Sequence, residues 1–302
     1  MKKITGLVMA LCALCVFGEM PPIFERYDSK TVVYKTVDGQ PLDMVLFFPE
    51  KKPESPMPVM LYIHGGGWQK GNRFNIFNRP AMDLFLKEGI ACASIEYRLV
   101  QAGKSTIMDC ATDCMDAARF LVKHADEYGF DATRMGTWGS SAGGHLCLLT
   151  ALAPDELFPG DSSLQVDFPT FRCVVSCFPV TTFTAPEVLK SSRFFKNPKT
   201  MGLLFGGAQD EWAATLSPAE YFSSDSPAVL LMHGDQDPLV GHEHSEYALK
   251  RAQAAGAQAE LVTVTNGMHN FHAFEEREIQ PTLDETCRIA ADFIIKHLKG
   301  ES

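Results

Sequence analysis

The sequence lacks the runs of lysine and arginine with which nucleic-acid-binding proteins contact phosphates. Its 302 residues include 27 basic and 37 acidic side chains, which gives a formal net charge of −10. Glycine and proline are scattered without a period, so a collagen-like or low-complexity chain is excluded. Beyond residue 18, no apolar stretch is long enough to span a bilayer as a helix. These absences predict a globular protein with no nucleic-acid partner and no transmembrane anchor.

Paired cysteine motifs are absent from the chain after residue 18. Setting aside Cys12 and Cys15 leaves seven of the nine cysteines, an odd number that cannot all pair internally. Most of the seven stand in apolar runs, so buried free thiols are their expected state. Because no Cys-x-x-Cys pair occurs among them, we expect neither a zinc site nor a redox site.

The first 18 residues have a composition of their own. Lys2 and Lys3 precede an apolar run over residues 7–17, and Gly18 follows. This order of charged, apolar and small residues is typical of a secretory signal peptide. We expect cleavage after Gly18 and a secreted or periplasmic mature chain of residues 19–302. A buried amino-terminal helix is the alternative.

Short β-branched runs alternate with helical patterns along residues 19–302. Because strands separated by helices require crossover connections, this order predicts one α/β domain with a mostly parallel sheet and helices on both faces. A hairpin signal at residues 38–40 joins the first two strands. The eight predicted strands are 31–37, 42–48, 59–63, 91–96, 134–138, 173–177, 228–232 and 261–265.

Two helices have the clearest signals. Residues 107–127 carry an apolar stripe at steps of three to four residues. A second helix begins at Thr282, which opens a capping box, and ends before Gly300. Between residues 153 and 226 only 173–177 resembles a strand, and we interpret residues 181–210 as a small cap over the functional site.

The most specific motif is GSSAGG at residues 139–144, between a predicted strand and an apolar helix at 145–152. On a sharp strand-to-helix turn, Ser141 would project its hydroxyl above the sheet, and the flanking glycines would avoid clashes within the turn. The helix amino terminus offers N–H groups to a developing negative charge. A flexible glycine-rich loop is the alternative.

A second glycine-rich motif, HGGGW at residues 64–68, follows the strand predicted at 59–63. Three glycines in succession let backbone N–H groups approach a substrate oxygen closely. The motif precedes the GSSAGG turn in the chain, where donors to an oxyanion are expected. An ordinary glycine-rich turn is the alternative.

With EYRL at 96–99, HGDQDPLV at 233–240 and GMHNF at 267–271, these motifs resemble the successive landmarks of the α/β-hydrolases. The resemblance is to hormone-sensitive-lipase-like carboxylesterases and to small feruloyl and acetyl carbohydrate esterases, and it covers nearly all of residues 19–302. It implies an α/β-hydrolase fold, with an eight-stranded, mostly parallel sheet. It also implies a secreted serine esterase that needs no cofactor and acts through an acyl-enzyme. The substrates that it suggests are acetyl or feruloyl esters of polysaccharides or oligosaccharides.

The resemblance assigns roles to individual residues. Ser141 is the nucleophile, His269 its base and Asp237 the acid that orients the base. The rival base is His272, and the rival acid is Asp235, to which we assign the shaping of the turn. The backbone N–H groups of the oxyanion hole come from Gly66, Gly67 and Ala142.

Other candidate residues have weaker signals. Trp68 either lines the acyl or leaving-group pocket or packs the loop, and His64 is expected to be a partner for loop backbone groups. The two histidines of the HEH sequence at residues 242–244 have a spacing that resembles metal ligands. No third ligand is evident, so we expect a solvated surface pair and no metal. Ser140 stands where relatives often have an acidic residue.

Three aromatic residues of the predicted cap bear on the acyl group. Phe194, Phe195 and Phe205 could grip an aromatic acyl group, but ordinary packing is favoured because phenylalanine is abundant in this chain.

Two rival functions share this fold. An exported serine peptidase or amidase, including an arylformamidase-like enzyme, would use the same three residues. A non-catalytic binding module is disfavoured because nucleophile, base and acid are all present.

Overall fold

The computed structural model of the protein describes residues 22, 25–51, 53 and 55–300. The signal peptide predicted at residues 1–18 lies outside them. The described strands are β1 (Ser29–Val37), β2 (Gln40–Phe47), β3 (Met57–Ile63), β4 (Ala91–Ile95), β5 (Phe130–Ser140), β6 (Phe171–Cys177), β7 (Ala228–Gly234) and β8 (Ala259–Val264). The described α-helices are α1 (Arg79–Lys87), α2 (Ile107–Lys123), α3 (Ala125–Tyr128), α4 (Ala142–Leu152), α5 (Pro186–Ser191), α6 (Pro198–Phe205), α7 (Gln209–Trp212), α8 (Glu243–Ala254) and α9 (Leu283–Lys299).

All eight strands form one sheet in the order β1-β2-β4-β3-β5-β6-β7-β8. The pairs β1–β2 and β2–β4 are antiparallel, and the five other pairs are parallel. Asp38 and Gly39, with φ of 49° and 76°, make the predicted hairpin turn of β1 and β2. The prediction of an eight-stranded, mostly parallel sheet is therefore confirmed.

Two layers of core lie on opposite faces of the sheet, because side chains alternate along each strand. In β3, Val59, Leu61 and Ile63 pack on the face covered by α2, α4 and α8. Met60 and Tyr62 pack on the other face, which α1 and α9 cover. Helices on both faces were predicted. The seven cysteines from Cys92 to Cys287 are buried free thiols, as expected.

The helix predicted over residues 107–127 is wrong at its carboxyl end. Helix α2 ends at Lys123, and His124, with φ of −108°, separates it from the single turn of α3. The His124 ring stacks on Phe120 at 4.3 Å, and its Nδ1 lies 3.1 Å from Glu127. The capping box at Thr282 is present as predicted, and Gly300 follows α9.

The segment between residues 153 and 226 is irregular, as predicted, with β6 its only strand. Helices α5 and α6 lie within the segment interpreted as a cap. Among the described residues, none of the helices is both long and apolar enough to cross a membrane.

Candidate active site

A strained turn connects β5 to α4. Ser141 has φ of 54° and ψ of −120°, a conformation that is rare for a residue with a side chain. Its N–H donates to the Cys177 carbonyl at 2.9 Å, and its carbonyl accepts from the His145 N–H at 2.9 Å. These bonds hold the turn between β6 and the first turn of α4, with the Ser141 hydroxyl at the carboxyl edge of the sheet.

Two glycines allow this turn to lie against the end of β3. A Cβ at Gly139 would overlap the Gly143 carbonyl, and a Cβ at Gly143 would overlap the Ile63 carbonyl oxygen. The expectation that the flanking glycines avoid clashes is confirmed, because no other residue fits either position without backbone movement.

Three side chains from distant parts of the chain form a hydrogen-bonded series. His269 Nε2 lies 3.1 Å from Ser141 Oγ, and His269 Nδ1 lies 2.6 Å from Asp237 Oδ2. A carboxylate only accepts hydrogen bonds, so Nδ1 carries the proton and Nε2 is left to accept the Ser141 hydroxyl proton. The Asp237 side chain is fully buried, whereas that of His269 is 14% exposed. His272 is exposed and outside this series.

Asp237 also organises the loop that carries it. Its Oδ1 accepts from the N–H groups of Leu239 at 2.8 Å and Val240 at 3.1 Å. Burial by itself would raise the pKa of Asp237, but hydrogen bonds from His233 and His269 outweigh burial and hold that pKa well below its usual range. The carboxylate is therefore ionised beside the imidazole.

The turn-shaping role assigned to Asp235 is wrong, because Asp237 makes the side-chain bonds to the backbone of this loop. Asp235 Oδ1 is buried and has no hydrogen-bond partner within the described part of the chain. Asp235 and Asp237 are only two residues apart in this loop, but only the carboxylate of Asp237 contacts His269.

The HGGGW loop lies opposite the Ser141 turn. The carbonyl of Gly66, whose φ is 123°, accepts from the N–H groups of Gln69 and Lys70, both at 3.2 Å, and so closes a tight turn. Gly66, Gly67, Ser141 and His269 border one cavity of about 1030 Å³. Ala142 is the first residue of α4, where N–H groups have no partner within the helix.

Trp68 is one of the residues that line this cavity, but nearly all of its side chain is buried. Its side chain is 1% exposed, and its Nε1–H donates to His145 Nδ1 at 3.3 Å. His145 Nε2 in turn lies 2.7 Å from the Leu216 carbonyl, and burial lowers the pKa of His145 to about 4. The structure favours packing over direct substrate contact for the Trp68 side chain.

Two further histidines are buried. His64 Nδ1 lies 2.7 Å from the Gly65 carbonyl, so its predicted role as a partner of the loop backbone is confirmed. The prediction that His244 lies on the solvated surface is wrong. Its ring is buried under Thr181, whose N–H donates to His244 Nδ1 at 3.1 Å. Burial lowers the pKa of His244 to about 3. Within the described ranges, no three His, Cys, Asp or Glu side chains are grouped to hold a metal ion.

The phenylalanines of the predicted cap differ in position. Phe194 borders the cavity beside Gly67, Phe195 packs on Phe183 at 5.8 Å, and Phe205 is fully buried in the core. Sequence reasoning assigned no role to several lining residues. Leu239, Val240 and Asn270 lie within the recognised motifs, and the others are Lys70, Asn75, Phe77 and Arg79.

The BD-FAE family profile matches residues 43–251, more than half of the chain. The chain belongs to the BD-FAE family. It is 30% identical over 191 residues to "Probable carboxylic ester hydrolase LipM" of Mycobacterium tuberculosis, an alignment that covers 61% of this chain and 42% of LipM. It is 26% identical over 246 residues to "Ethyl acetate hydrolase" of Pseudomonas putida, covering 78% of this chain and 73% of that protein.

A thermophilic esterase of Thermogutta terrifontis has the same fold. It superposes with a TM-score of 0.73 at 25% identity over 92% of this chain and 94% of that one. These relatives are named as ester hydrolases or esterases, and the chain shares the α/β-hydrolase fold of the solved esterase. The chain spans less than half of the length of LipM.

Proposed function

We propose that this BD-FAE family protein is a secreted serine esterase that uses Ser141, His269 and Asp237 to hydrolyse carboxylic esters through an acyl-enzyme. The observation that carries the proposal is the continuous series of hydrogen bonds from Ser141 Oγ through His269 to Asp237, at the edge of an open cavity. Two donor–acceptor distances of 3.1 and 2.6 Å put the base within direct proton-transfer reach of the hydroxyl.

The reaction follows from this geometry. Ser141 Oγ attacks the ester carbonyl carbon while its proton passes to His269 Nε2, and Asp237 stabilises the imidazolium. The N–H groups of Gly66, Gly67 and Ala142 bind the oxyanion. The tetrahedral intermediate expels the alcohol, which takes the proton from Nε2 and leaves an acyl group on Ser141. Water, deprotonated by the same imidazole, then releases the acid.

The proposed substrates are acetyl or feruloyl esters of saccharides. An apolar wall that includes Phe194 and Leu239 suits an acyl group, and the amide side chains of Gln69, Asn75 and Asn270 suit a hydroxyl-rich alcohol. Export through the expected signal peptide at residues 1–18 would bring the enzyme to such polymers. The resemblance to small carbohydrate esterases supports the same class, and residues 181–210 are proposed to cap the acyl side.

Purified mature protein should hydrolyse p-nitrophenyl acetate, and Ser141→Ala should reduce kcat at least about ten-thousandfold. The matched control is His272→Gln, which changes an exposed histidine near the base and should leave the rate within about twofold of wild type. Full activity in Ser141→Ala would overturn the mechanism.

A product panel tests the substrate class. Acetylated and feruloylated oligosaccharides should be turned over faster than matched amides and dipeptides. Faster turnover of the amides would favour the peptidase or amidase alternative instead.

A further inference from the structure

The EYRL segment at residues 96–99 takes no part in the proposed reaction steps, but it leaves the sheet beside the HGGGW loop. β3 and β4 are parallel neighbours, and their last residues, Ile63 and Ile95, pair in register. The HGGGW loop follows β3, and the EYRL segment follows β4. Both segments therefore start side by side at the carboxyl edge of the sheet.

Hydrogen bonds join the EYRL segment and the residue after it to both ends of the HGGGW loop. The buried Tyr97 hydroxyl donates to the His64 carbonyl at 2.8 Å, and the Val100 N–H donates to the Trp68 carbonyl at 2.8 Å. The Tyr97 ring also stacks on the His64 ring, with 4.3 Å between the centroids and 17° between the planes. The first and last residues of the loop are thus held by groups outside it.

The glycines between these two anchors carry the proposed oxyanion donors. In the described part of the chain, no group accepts a hydrogen bond from the N–H of Gly66 or of Gly67. Their φ values are 123° and 61°, and a glycine backbone is conformationally permissive, so the orientation of these N–H groups depends on where the ends of the loop are held. Donors stabilise an oxyanion strongly only when they are preorganised.

Glu96 holds the chain that follows the loop. Its Oε1 accepts from the Arg73 N–H at 3.2 Å and from the Arg73 guanidinium at 2.6 Å. The Glu96 backbone is itself bonded to the sheet, since its carbonyl accepts from the Tyr34 hydroxyl at 2.7 Å and its N–H donates to the Asp43 carbonyl at 2.9 Å. The EYRL segment therefore connects the loop to the first two strands.

We infer that Tyr97 is a positioning residue for ester hydrolysis, whose hydroxyl holds the HGGGW loop so that Gly66 and Gly67 present their N–H groups to the oxyanion. The inference rests on the proposed esterase function. Burial raises the pKa of Tyr97 well above its usual range, so the phenol keeps its proton and remains a donor. Misplacing such donors by about 1 Å costs up to about a hundredfold in rate.

Tyr97→Phe removes the hydroxyl and keeps the stacked ring. With p-nitrophenyl acetate, kcat should fall about tenfold to a hundredfold while KM stays within about threefold, because the donors act on the transition state more than on the bound ester. Tyr221→Phe is the matched control. It removes a hydroxyl that donates to the Thr215 carbonyl at 3.0 Å, away from the loop, and kcat should stay within about twofold of wild type.

Inhibition by trifluoroacetophenone separates positioning from a loss of folded protein. Ser141 Oγ bonds to the ketone carbon, the hydroxyl proton passes to His269, and the ketone oxygen becomes an oxyanion that needs the same donors. The inhibition constant should rise in Tyr97→Phe by about the factor by which kcat/KM falls. A smaller folded fraction would instead lower kcat and leave the inhibition constant unchanged.

Glu96 provides a second test, which decides the question if Tyr97→Phe does not fold. Glu96→Ala removes the acceptor of the Arg73 N–H and should lower kcat at least about threefold and raise the inhibition constant. Glu96→Gln keeps an oxygen acceptor and should recover most of this loss.

The outcomes separate this inference from the proposed function. The wild-type inhibition constant in folded Tyr97→Phe, or in Glu96→Ala if Tyr97→Phe does not fold, would overturn the inference and leave the esterase function standing. Wild-type protein that hydrolyses no ester would overturn the proposed function and the inference with it.

Discussion

Asp237 serves two purposes with its two carboxylate oxygens. One accepts from the backbone of Leu239 and Val240 and fixes the loop, and the other accepts from His269. The sequence identified Ser141, Asp237 and His269 because each lies in a short motif that ends a strand. It did not identify Lys70 or Arg79, because a side chain that lines a cavity through folding alone leaves no local pattern.

Replacing Asp237 by asparagine should lower kcat about ten-thousandfold, because the amide cannot both keep the backbone bonds and accept from His269 Nδ1–H. The imidazole would then adopt the other tautomer, with its proton toward Ser141. Asp235→Asn is the matched control, two residues away, and should cost less than about tenfold. Ester hydrolysis by the two variants measures the difference, and equal losses would contradict the assignment.

At the scale of elements, strands were easier to predict than helix ends. All eight strands were found, because buried β-branched runs bounded by turns are a strong signal. The prediction for 107–127 overran because the stripe on which it depended ends at Val122. His244 was misplaced because the burial of a polar helix residue depends on what packs over it, here Thr181, far away in the sequence.

The contact between the Ser141 turn and β3 predicts the effect of a single methyl group. Gly143→Ala places a Cβ against the Ile63 carbonyl and should lower the free energy of unfolding by about 3 kcal/mol. Gly202→Ala, in α6 with no atom within 4 Å of the added Cβ, should raise it by about 0.5 to 1 kcal/mol. Urea unfolding measures both, and a harmless Gly143→Ala would contradict the tight contact.

For the whole molecule, the sequence predicted a parallel sheet but not its order. Placing β4 between β2 and β3 is decided by how layers pack, not by any run of residues. The same packing buries His64, His145 and His244 as neutral rings, and burial lowers their pKa values to about 4, about 4 and about 3.

These three histidines predict a loss of stability in mild acid. The three histidines bind protons in the unfolded chain below pH about 6.5, whereas the folded rings stay neutral until pH about 4. Protonation therefore favours the unfolded state as the pH decreases, and the folded state has its full stability above pH about 6.5. The free energy of unfolding should therefore be about 4 kcal/mol lower at pH about 5.5 than at about 7.5. Urea unfolding at both values measures this.

A variant assigns the pH effect. His244→Asn should reduce the pH dependence by about a third, because one of three such groups is removed. Exposed His272→Gln should leave it unchanged. Equal stability at the two pH values would show that the three rings do not stay neutral in the folded protein.

Labelling by a fluorophosphonate, located by peptide mass spectrometry, tests most directly whether His269 and Asp237 activate Ser141. Only an activated hydroxyl reacts at a useful rate with such a probe. We predict one adduct per chain, on Ser141, absent in Ser141→Ala and formed at least about a hundredfold more slowly in His269→Gln. An unlabelled Ser141 in active protein, or labelling at the wild-type rate in His269→Gln, would contradict the account.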